Sequence, residues 1–172
     1  MAETLTVLKS RRSIRAYKPE PIEEEKLNAI IEAGTYAATG MGSQSPIILA
    51  ITDKEVRDEL SKINAKVMGV DFDPFYGAPE LLVVLADKSV PTYVYDGSLV
   101  MGNLMNAAQD LGVASCWIHR AKDDFESDYG KALLAKLGIE GDYEGIGNLV
   151  LGYAASDAPE AAPRKANYVY RV

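Results

Sequence analysis

Apolar residues follow a helical spacing in two segments of the first half of this chain. Residues 19–38 carry an apolar stripe on one helical face, with acidic residues in the first turn, where the helix dipole favours them. Residues 54–69 repeat the pattern at steps of four, three and four. The two stripes consist of Leu27, Ile30, Ile31 and Gly34, and of Val56, Leu60, Ile63 and Val67. Both segments are therefore predicted to be amphipathic helices.

Short continuous apolar runs, by contrast, are typical of buried strands. The clearest is "LLVVLA" at residues 81–86, which contains β-branched residues and follows a Gly-Ala-Pro lead-in. Three further runs are predicted to be strands, at residues 47–52, 114–119 and 147–153. Additional helices are predicted at residues 3–9, 96–112 and 123–138. Because helices and strands interleave, we expect a single domain over residues 1–172, with helices on both faces of a sheet.

The end of the chain has a different character. Residues 154–163, "AASDAPEAAP", contain two prolines and are predicted to form an extended arm. Residues 167–172, "NYVYRV", alternate in the manner of a last strand. An arm of this kind either reaches another subunit or lies on its own domain, and the pattern does not separate the two.

Charge is distributed unevenly along the chain. The formal net charge is -7, yet five of the 18 Lys and Arg residues lie in "VLKSRRSIRAYK", residues 7–18, which contains no acid. Nucleic-acid binding needs a broad basic surface, so the acidic balance argues against a nucleic-acid partner. A single cationic segment on an acidic body suits one small anion better.

Candidate chemistry within the chain is sparse. One cysteine, Cys116, and one histidine, His119, exclude an internal disulfide and a zinc site of the Cys/His type. Cys116 lies in an apolar strand and is interpreted as a packing residue. No dinucleotide, P-loop or nucleophile-elbow motif occurs. No segment resembles a membrane span or a secretory signal, so we expect a cytoplasmic protein without a membrane partner.

Six ordered segments resemble the FMN-dependent nitroreductase family. "RRSIRAY" at residues 11–17 resembles the opening motif of that family, and "AATGMGSQSP" at residues 37–46 resembles its second motif. "GAPELLVVLA", "LGVASCWIH", "LVLGY" and "PRKANYVY" then follow in the family's order and spacing. The likeness covers nearly all of the chain, which is similar in length to the short-chain members of the family.

The resemblance implies a fold and an assembly. The fold is α+β and nitroreductase-like, with a central mixed or antiparallel sheet flanked by helices. The assembly is an intertwined homodimer, in which the C-terminal strand is exchanged and FMN binds at the interface. NADH or NADPH would serve as co-substrate, and a small molecule would be the electron acceptor.

The resemblance also implies that the cationic segment binds FMN. Arg11, Arg12 and Ser13 would hold the phosphate and ribityl chain, since paired bidentate cations suit a phosphate dianion. Arg15 would lie beside the ring at N1 and O2, where a fixed cation stabilises the negative charge that develops on reduction. No catalytic side chain is expected, because flavin N5 carries the hydride. The alternative interpretation is a solvated, cationic helix end with ordinary ion pairs.

Three other segments supply the remaining cofactor-binding residues implied by the family. A loop of hydroxyl and amide side chains would meet FMN from the partner subunit, a strand end would pass the ring, and a late basic pair would close on the phosphate. These residues are Thr39, Ser43, Gln44 and Ser45, then Trp117, Ile118 and His119, and finally Arg164 and Lys165. A place in the core fits Trp117 and Ile118 equally well, and His119 could simply end a strand.

The acceptor pocket is less well defined by the resemblance. Gly42, Ser45 and Pro46 depart from the family's second motif. Candidates for a slot that stacks on the acceptor are Tyr36, Tyr76, Tyr93 and Tyr95.

On this basis we expect an FMN-dependent oxidoreductase. It would pass a hydride from NAD(P)H to flavin and then, by a ping-pong route, to a nitroaromatic, a quinone or a similar acceptor. Two alternatives stay open, namely a flavin-binding carrier or sensor without turnover, and an anion-binding or structural dimer without flavin. The sequence does not choose between NADH and NADPH, and it does not exclude the specialised branches that dehalogenate aromatic rings, destroy flavin or oxidise azolines.

Overall fold

The computed structural model describes residues 3–172, which form an antiparallel sheet with helices on both faces. The strands over these residues are β1 (Pro46–Ile51), β2 (Glu80–Asp87), β3 (Ala114–Ile118) and β4 (Tyr143–Gly152). The helices over the same residues are α1 (Thr4–Ser10), α2 (Glu24–Thr35), α3 (Lys54–Met68), α4 (Tyr93–Asp110), α5 (Ala121–Glu126) and α6 (Asp128–Lys136). None of these helices is both long and apolar enough to cross a membrane.

The strand β2 lies at the centre of the sheet, whose order is β1-β2-β4-β3 with every pair antiparallel. Its residues from Leu81 to Ala86 are all buried. Alternate side chains enter two different cores, because successive residues of a strand point to opposite faces. This placement explains the uninterrupted apolar run, since a strand covered on both faces needs no polar side.

Each face of the sheet has its own hydrophobic core. Leu60 of α3 and Phe125 of α5 pack on one face, and Ile30 of α2 and Leu104 of α4 pack on the other. All four are buried, and burial of such a side chain stabilises the fold by roughly 1.5–3 kcal/mol. The predicted sheet with helices on both faces is therefore confirmed.

The cationic segment runs along the edge of β3. Ser13 forms a parallel bridge with Ser115, and the N–H of Ile14 donates to the carbonyl of Ser115 (3.1 Å). Further on, Tyr17 forms an antiparallel bridge with Ala154, just beyond β4. The segment thus covers an otherwise open sheet edge and is itself anchored by backbone hydrogen bonds.

The strand predicted at residues 167–172 does not form within one chain. Residues 154–172 are all exposed, and residues 155–172 belong to no helix or strand. A strand needs a neighbour for its backbone donors and acceptors, and nothing among residues 3–172 pairs with the outer edge of β1. The exchange of this strand between subunits stays a prediction.

Several element boundaries differ from those predicted, and the helix predicted over residues 19–38 is limited to Glu24–Thr35. The helix expected over residues 123–138 is divided at Ser127, whose side chain accepts the N–H of Gly130 (3.0 Å) and starts α6. The helix α4 begins at Tyr93, three residues before Asp96, whose carboxylate accepts the N–H of Gly40 from a neighbouring loop. The strand β4 begins at Tyr143, since the glycine at 145 lets the strand pass close to the start of α5.

Candidate functional site

The first two arginines of the cationic segment lie where α1 ends. The N–H of Arg11 donates to the carbonyl of Val7 (3.0 Å) and closes the helix. Arg12 folds back onto the helix end, where its Nη1 donates to the carbonyls of Lys9 (2.8 Å) and Arg11 (2.6 Å). Helix-terminal carbonyls carry partial negative charge, so they favour a cation at this position. Two adjacent arginines are therefore presented from a fixed backbone.

Two nitrogens of these guanidinium groups lack an acceptor among residues 3–172. Nη1 of Arg11 and Nε of Arg12 are buried and make no hydrogen bond. The salt bridges of the described residues do not involve Arg11, Arg12 or Arg15. A buried donor without a partner costs about 1–3 kcal/mol, and more when it is charged. This pair of donors fits an anion with several oxygen atoms, such as a phosphate group.

Arg15 differs from the first two arginines in its surroundings. It is exposed, and its charge acts on the neighbouring Tyr17. Burial raises the pKa of Tyr17, the Cys116 thiol adds to this effect, and Arg15 opposes it. The hydroxyl of Tyr17 donates to the carbonyl of Ile14 (2.7 Å), which steadies the segment around Arg15. The guanidinium of Arg15 is therefore accessible to a ligand.

The loop of hydroxyl and amide side chains is held by Asp96, which the sequence suggested only as a helix start. Asp96 is 2% exposed and accepts hydrogen bonds from the N–H of Gly40 (2.9 Å) and the hydroxyl of Ser45 (2.9 Å). Thr92 donates at 3.0 Å and Ser43 at 3.4 Å. Burial alone would raise the pKa of Asp96, but these hydrogen bonds hold it below its ordinary value. An ionised Asp96 therefore fixes the shape of the loop.

The four predicted loop residues differ in what they offer to a ligand. The hydroxyl of Ser45 is buried and engaged with Asp96. Ser43 and Gln44 are exposed, and Thr39 accepts the N–H of Gln44 (3.1 Å). Thr39 and Gln44 also border a hollow of about 330 Å³ beside α2. A ligand at this loop would meet Ser43 and Gln44 directly, but not the hydroxyl of Ser45.

Residues 117–119 lie at the end of β3. Ile118 is 6% exposed, and its side chain belongs to the core beneath α3 and α5. Trp117 is half-buried on the other face, where its indole lies so close to Gly147 that any side chain there would clash. His119 is exposed, and Trp117 and His119 line a hollow of about 280 Å³ together with Arg120. Trp117 and His119 therefore face a space into which a planar ring could fit.

The late basic pair stays apart from the other predicted residues within one chain. Arg164 donates from Nε (3.2 Å) and Nη2 (2.6 Å) to the carbonyl of Ala162 in its own arm. The ammonium of Lys165 lies 5.4 Å from the ring centre of Tyr168. No hydrogen bond among residues 3–172 joins this pair, or the loop at residues 39–45, to the cationic segment.

The other sequence candidates have ordinary surroundings. Cys116 is buried and free, in agreement with its interpretation as a packing residue. Tyr36 and Tyr95 are exposed, whereas Tyr76 and Tyr93 are half-buried, and the hydroxyl of Tyr93 donates to Glu144 (3.3 Å). No cluster of His, Cys, Asp and Glu suited to a metal ion occurs in the part of the chain that the structure describes.

Sequence reasoning missed a buried polar cluster behind the end of β3. It joins Asn64 of α3, Asp124 of α5 and Asn148 of β4 with Arg120. The one signal in the sequence is Asn148, an amide within the apolar run "NLVLG". Asp124 gave no signal, because acids are common near helix starts.

This chain is similar to a known protein family and to several known proteins. The model of the family described as "Nitroreductase family" matches residues 8–71. The NADPH-dependent oxidoreductase of Staphylococcus saprophyticus is 25% identical over 136 residues, covering 70% of this chain and 54% of that protein. The FMN reductase (NAD(P)H) of Bacillus subtilis is 28% identical over 132 residues, covering 67% of this chain and 53% of that protein. The chain thus spans about half the length of these two curated relatives.

A solved structure matches over its full length. The crystal structure of a nitroreductase with bound FMN from Bacteroides fragilis is 28% identical, has a TM-score of 0.88 and covers 100% of both chains. This match confirms the α+β fold that the sequence motifs implied.

Proposed function

We propose that this chain, whose residues 8–71 match the model of the nitroreductase family, is an FMN-dependent oxidoreductase driven by NADH or NADPH. FMN, when bound, supplies the chemistry by accepting a hydride and passing it on. We further propose a ping-pong route, in which NAD(P)H leaves before the acceptor occupies the same space. The acceptor class is a nitroaromatic, a quinone or a similar planar compound. A cytoplasmic location stays a prediction.

One observation carries this proposal beyond the family resemblance. Nη1 of Arg11 and Nε of Arg12 are buried donors without an acceptor among the described residues. A phosphate monoester offers several acceptor oxygens and a charge of about -2 near neutral pH. The residues present at the end of α1 therefore fit the phosphate of FMN.

The other predicted residues receive roles that follow from their surroundings. Arg15 would place its exposed charge at the pyrimidine edge of the ring, with Ser13 beside the ribityl chain. Trp117 and His119 would wall the hollow at the end of β3, and Ile118 would contribute its backbone. In a homodimer, the partner subunit would supply the loop that contains Thr39, Ser43, Gln44 and Ser45. The FMN phosphate would also be contacted by the basic pair Arg164 and Lys165.

The visible spectrum of the purified protein tests this function. We expect a flavin spectrum that bleaches when NADH or NADPH is added under argon and returns when a quinone or nitroaromatic is added. The double variant Arg11→Ala/Arg12→Ala should lose bound flavin. The matched control Lys54→Ala/Lys62→Ala, which removes two exposed cations of α3, should retain it.

The alternatives give different spectra. A yellow protein that NAD(P)H does not bleach would be a carrier or sensor and not an oxidoreductase. A colourless protein that does not bind added FMN would overturn the proposal altogether.

A further inference from the structure

A buried polar cluster lies directly behind the turn that joins β3 to α5. Nδ2 of Asn64 donates to the backbone carbonyl of His119 (2.9 Å) and to Oδ2 of Asp124 (2.8 Å). Nε of Arg120 donates to Oδ1 of Asn64 (3.1 Å), and Nδ2 of Asn148 donates to the same Oδ2 of Asp124 (2.6 Å). Asn64, Asp124 and Asn148 are all fully buried. The cluster therefore connects three elements of the fold to two consecutive residues of the turn.

Two oxygen atoms of this cluster lack a donor among residues 3–172. They are Oδ1 of Asp124 and Oδ1 of Asn148. Protonation of Asp124 at Oδ1 would turn that atom into a donor. The other oxygen without a donor, Oδ1 of Asn148, belongs to the side chain that already donates to Asp124. A protonated Asp124 would thus offer both a donor and an acceptor, which suits neighbours that are amides. An ionised carboxylate would leave both oxygens unsatisfied.

The groups around Asp124 favour the neutral acid in mildly acidic solution. From α3 and β4 the carboxyl faces the uncharged amides Asn64 and Asn148. Charged groups face it from its own end of α5, where Arg120 favours ionisation and Asp123 disfavours it. Burial dominates and raises the pKa of Asp124 to about 6, against the hydrogen bonds from the two amides.

We propose that Asp124, which accepts hydrogen bonds from Asn64 and Asn148, acts through Asn64 as a positioning group for the backbone of His119 and Arg120. This inference rests on the proposed function, in which Trp117 and His119 wall the flavin ring. Positioning is needed because Arg120 has a φ of 74°, a left-handed conformation that residues with side chains rarely adopt. The N–H of Asp124 also donates to the carbonyl of Arg120 (3.0 Å). The cluster thus holds both the main chain and the side chain of the strained residue.

The first test needs no flavin, because His119 is the only histidine of the 172 residues and gives a single imidazole signal in NMR spectra. In the full-length, FMN-free protein, Asn64→Ala should shift the signals of the His119 imidazole and of the Arg120 amide. The matched control is Asn103→Ala, which removes a similar amide-to-carbonyl bond, from Asn103 to Ala33 (3.0 Å), on the other face of the sheet. Unchanged His119 and Arg120 signals in Asn64→Ala would overturn the proposal.

A second variant keeps the proposal testable if Asn64→Ala does not fold. Asp124→Asn should fold, because a carboxamide reproduces the neutral acid by accepting through its oxygen and donating to Asn148. In the wild type, the Arg120 amide signal should shift with a midpoint near pH 6, and this pH-dependent shift should vanish in Asp124→Asn. If the Arg120 amide signal of Asp124→Asn still shifts with a midpoint near pH 6, the proposed role of Asp124 is wrong.

The flavin-loaded protein then shows whether the positioning matters for the reaction. Small displacements of a site wall can slow a reaction by up to about 100-fold, and we expect Asn64→Ala to slow flavin reduction by about ten-fold. FMN affinity should change by less than about three-fold, since the phosphate contacts lie elsewhere. An unchanged reduction rate in Asn64→Ala would show that the cluster contributes only to the stability of the fold. Its proposed role in the reaction would then be wrong. If the wild type binds no FMN, the proposed function fails, and the flavin-free spectra still decide whether the cluster positions the turn.

Discussion

At the scale of single residues, Arg12 and Arg15 are proposed to act on opposite ends of one cofactor. Arg12→Ala should weaken FMN affinity by roughly 1.5–3 kcal/mol, the scale of a charge-assisted hydrogen bond. Arg15→Ala should instead lower the flavin midpoint potential and slow reduction by NADH, because negative charge appears at the pyrimidine edge only on reduction. Titration with oxidised FMN and stopped-flow bleaching separate the two effects. The ring-edge role of Arg15 is wrong if Arg15→Ala bleaches at the wild-type rate and loses FMN as Arg12→Ala does.

Asp124 gives a second prediction, on the pH dependence of stability. Its pKa is about 6 in the folded protein, against an ordinary value of 3.8. Above pH 4 the unfolded chain releases this proton while the folded chain still holds it, so the free energy of unfolding falls as the pH rises towards 6. The loss is on the order of 3 kcal/mol and then levels off. Asp124→Asn removes this titration, so it should match the wild type near pH 4 and exceed its stability at pH 8.

Urea unfolding at a series of pH values measures this difference. The control is Asp157→Asn, which changes an exposed acid of the C-terminal arm and should follow the wild-type curve. Parallel curves for Asp124→Asn and the wild type between pH 4 and 8 would mean that Asp124 is ionised at low pH.

The residues that sequence reasoning found and missed differ in a physical way. Arg11 and Arg12 stood out because two adjacent cations in an acidic chain need an explanation. Asp96 and Asp124 did not stand out, since acids near a helix start are ordinary in a sequence. Their roles depend on donors brought from distant segments, such as Gly40 for Asp96 and Asn64 for Asp124. Only the folded chain brings these partners together.

At the scale of elements, hydrophobic spacing predicted the position of most helices and strands. The buried run at residues 81–86 and the stripe of α2 are local patterns, so they could be read directly. The spacing also predicted α3 as a helix but not its buried face, which carries Ser61 and Asn64 while Val67 is exposed. The division between α5 and α6 could not, because Gly130 packs against the backbone of α5 and Ser127 starts the second helix. Close backbone approaches of this kind leave little trace in the apolar pattern.

The loop at residues 39–45 supplies the third prediction. Its shape depends on Asp96, so Asp96→Ala should leave the donors of Gly40 and Ser45 unpaired and lower the free energy of unfolding by about 3 kcal/mol. Hydrogen exchange of the loop amides should accelerate as well. FMN affinity should fall if the loop reaches the partner's flavin.

Asp53→Ala is the matched control for this prediction. Asp53 accepts the N–H groups of Glu55 and Val56 at the exposed start of α3, and its loss should cost only about 1 kcal/mol. Equal losses in the two variants, with unchanged exchange in the loop, would show that Asp96 does not organise it.

At the scale of the whole molecule, the open question is what covers the end of the chain. Residues 154–172 are exposed, and the large apolar side chains Tyr168, Val169 and Tyr170 are each more than two-thirds exposed. Exposed apolar residues in an alternating segment favour a partner surface. The outer edge of β1, which is unpaired in residues 3–172, offers backbone donors and acceptors to such a segment. An extended arm of this length spans up to about 60 Å, which is enough to reach a second subunit.

Removing the arm therefore tests assembly and cofactor binding together. A chain that ends after Ala162 lacks the alternating segment as well as Arg164 and Lys165, so it should lose both the dimer and the flavin. Light scattering coupled to size-exclusion chromatography measures the mass, and the absorbance of the same peak measures the flavin. The matched control is the full-length variant Arg164→Ala/Lys165→Ala, which keeps the strand and removes only the basic pair. It should stay dimeric and bind FMN more weakly, because the exchanged strand and the phosphate contact are separate contributions. A truncated protein that remains dimeric and yellow would place the arm on its own domain and rule out the exchanged strand.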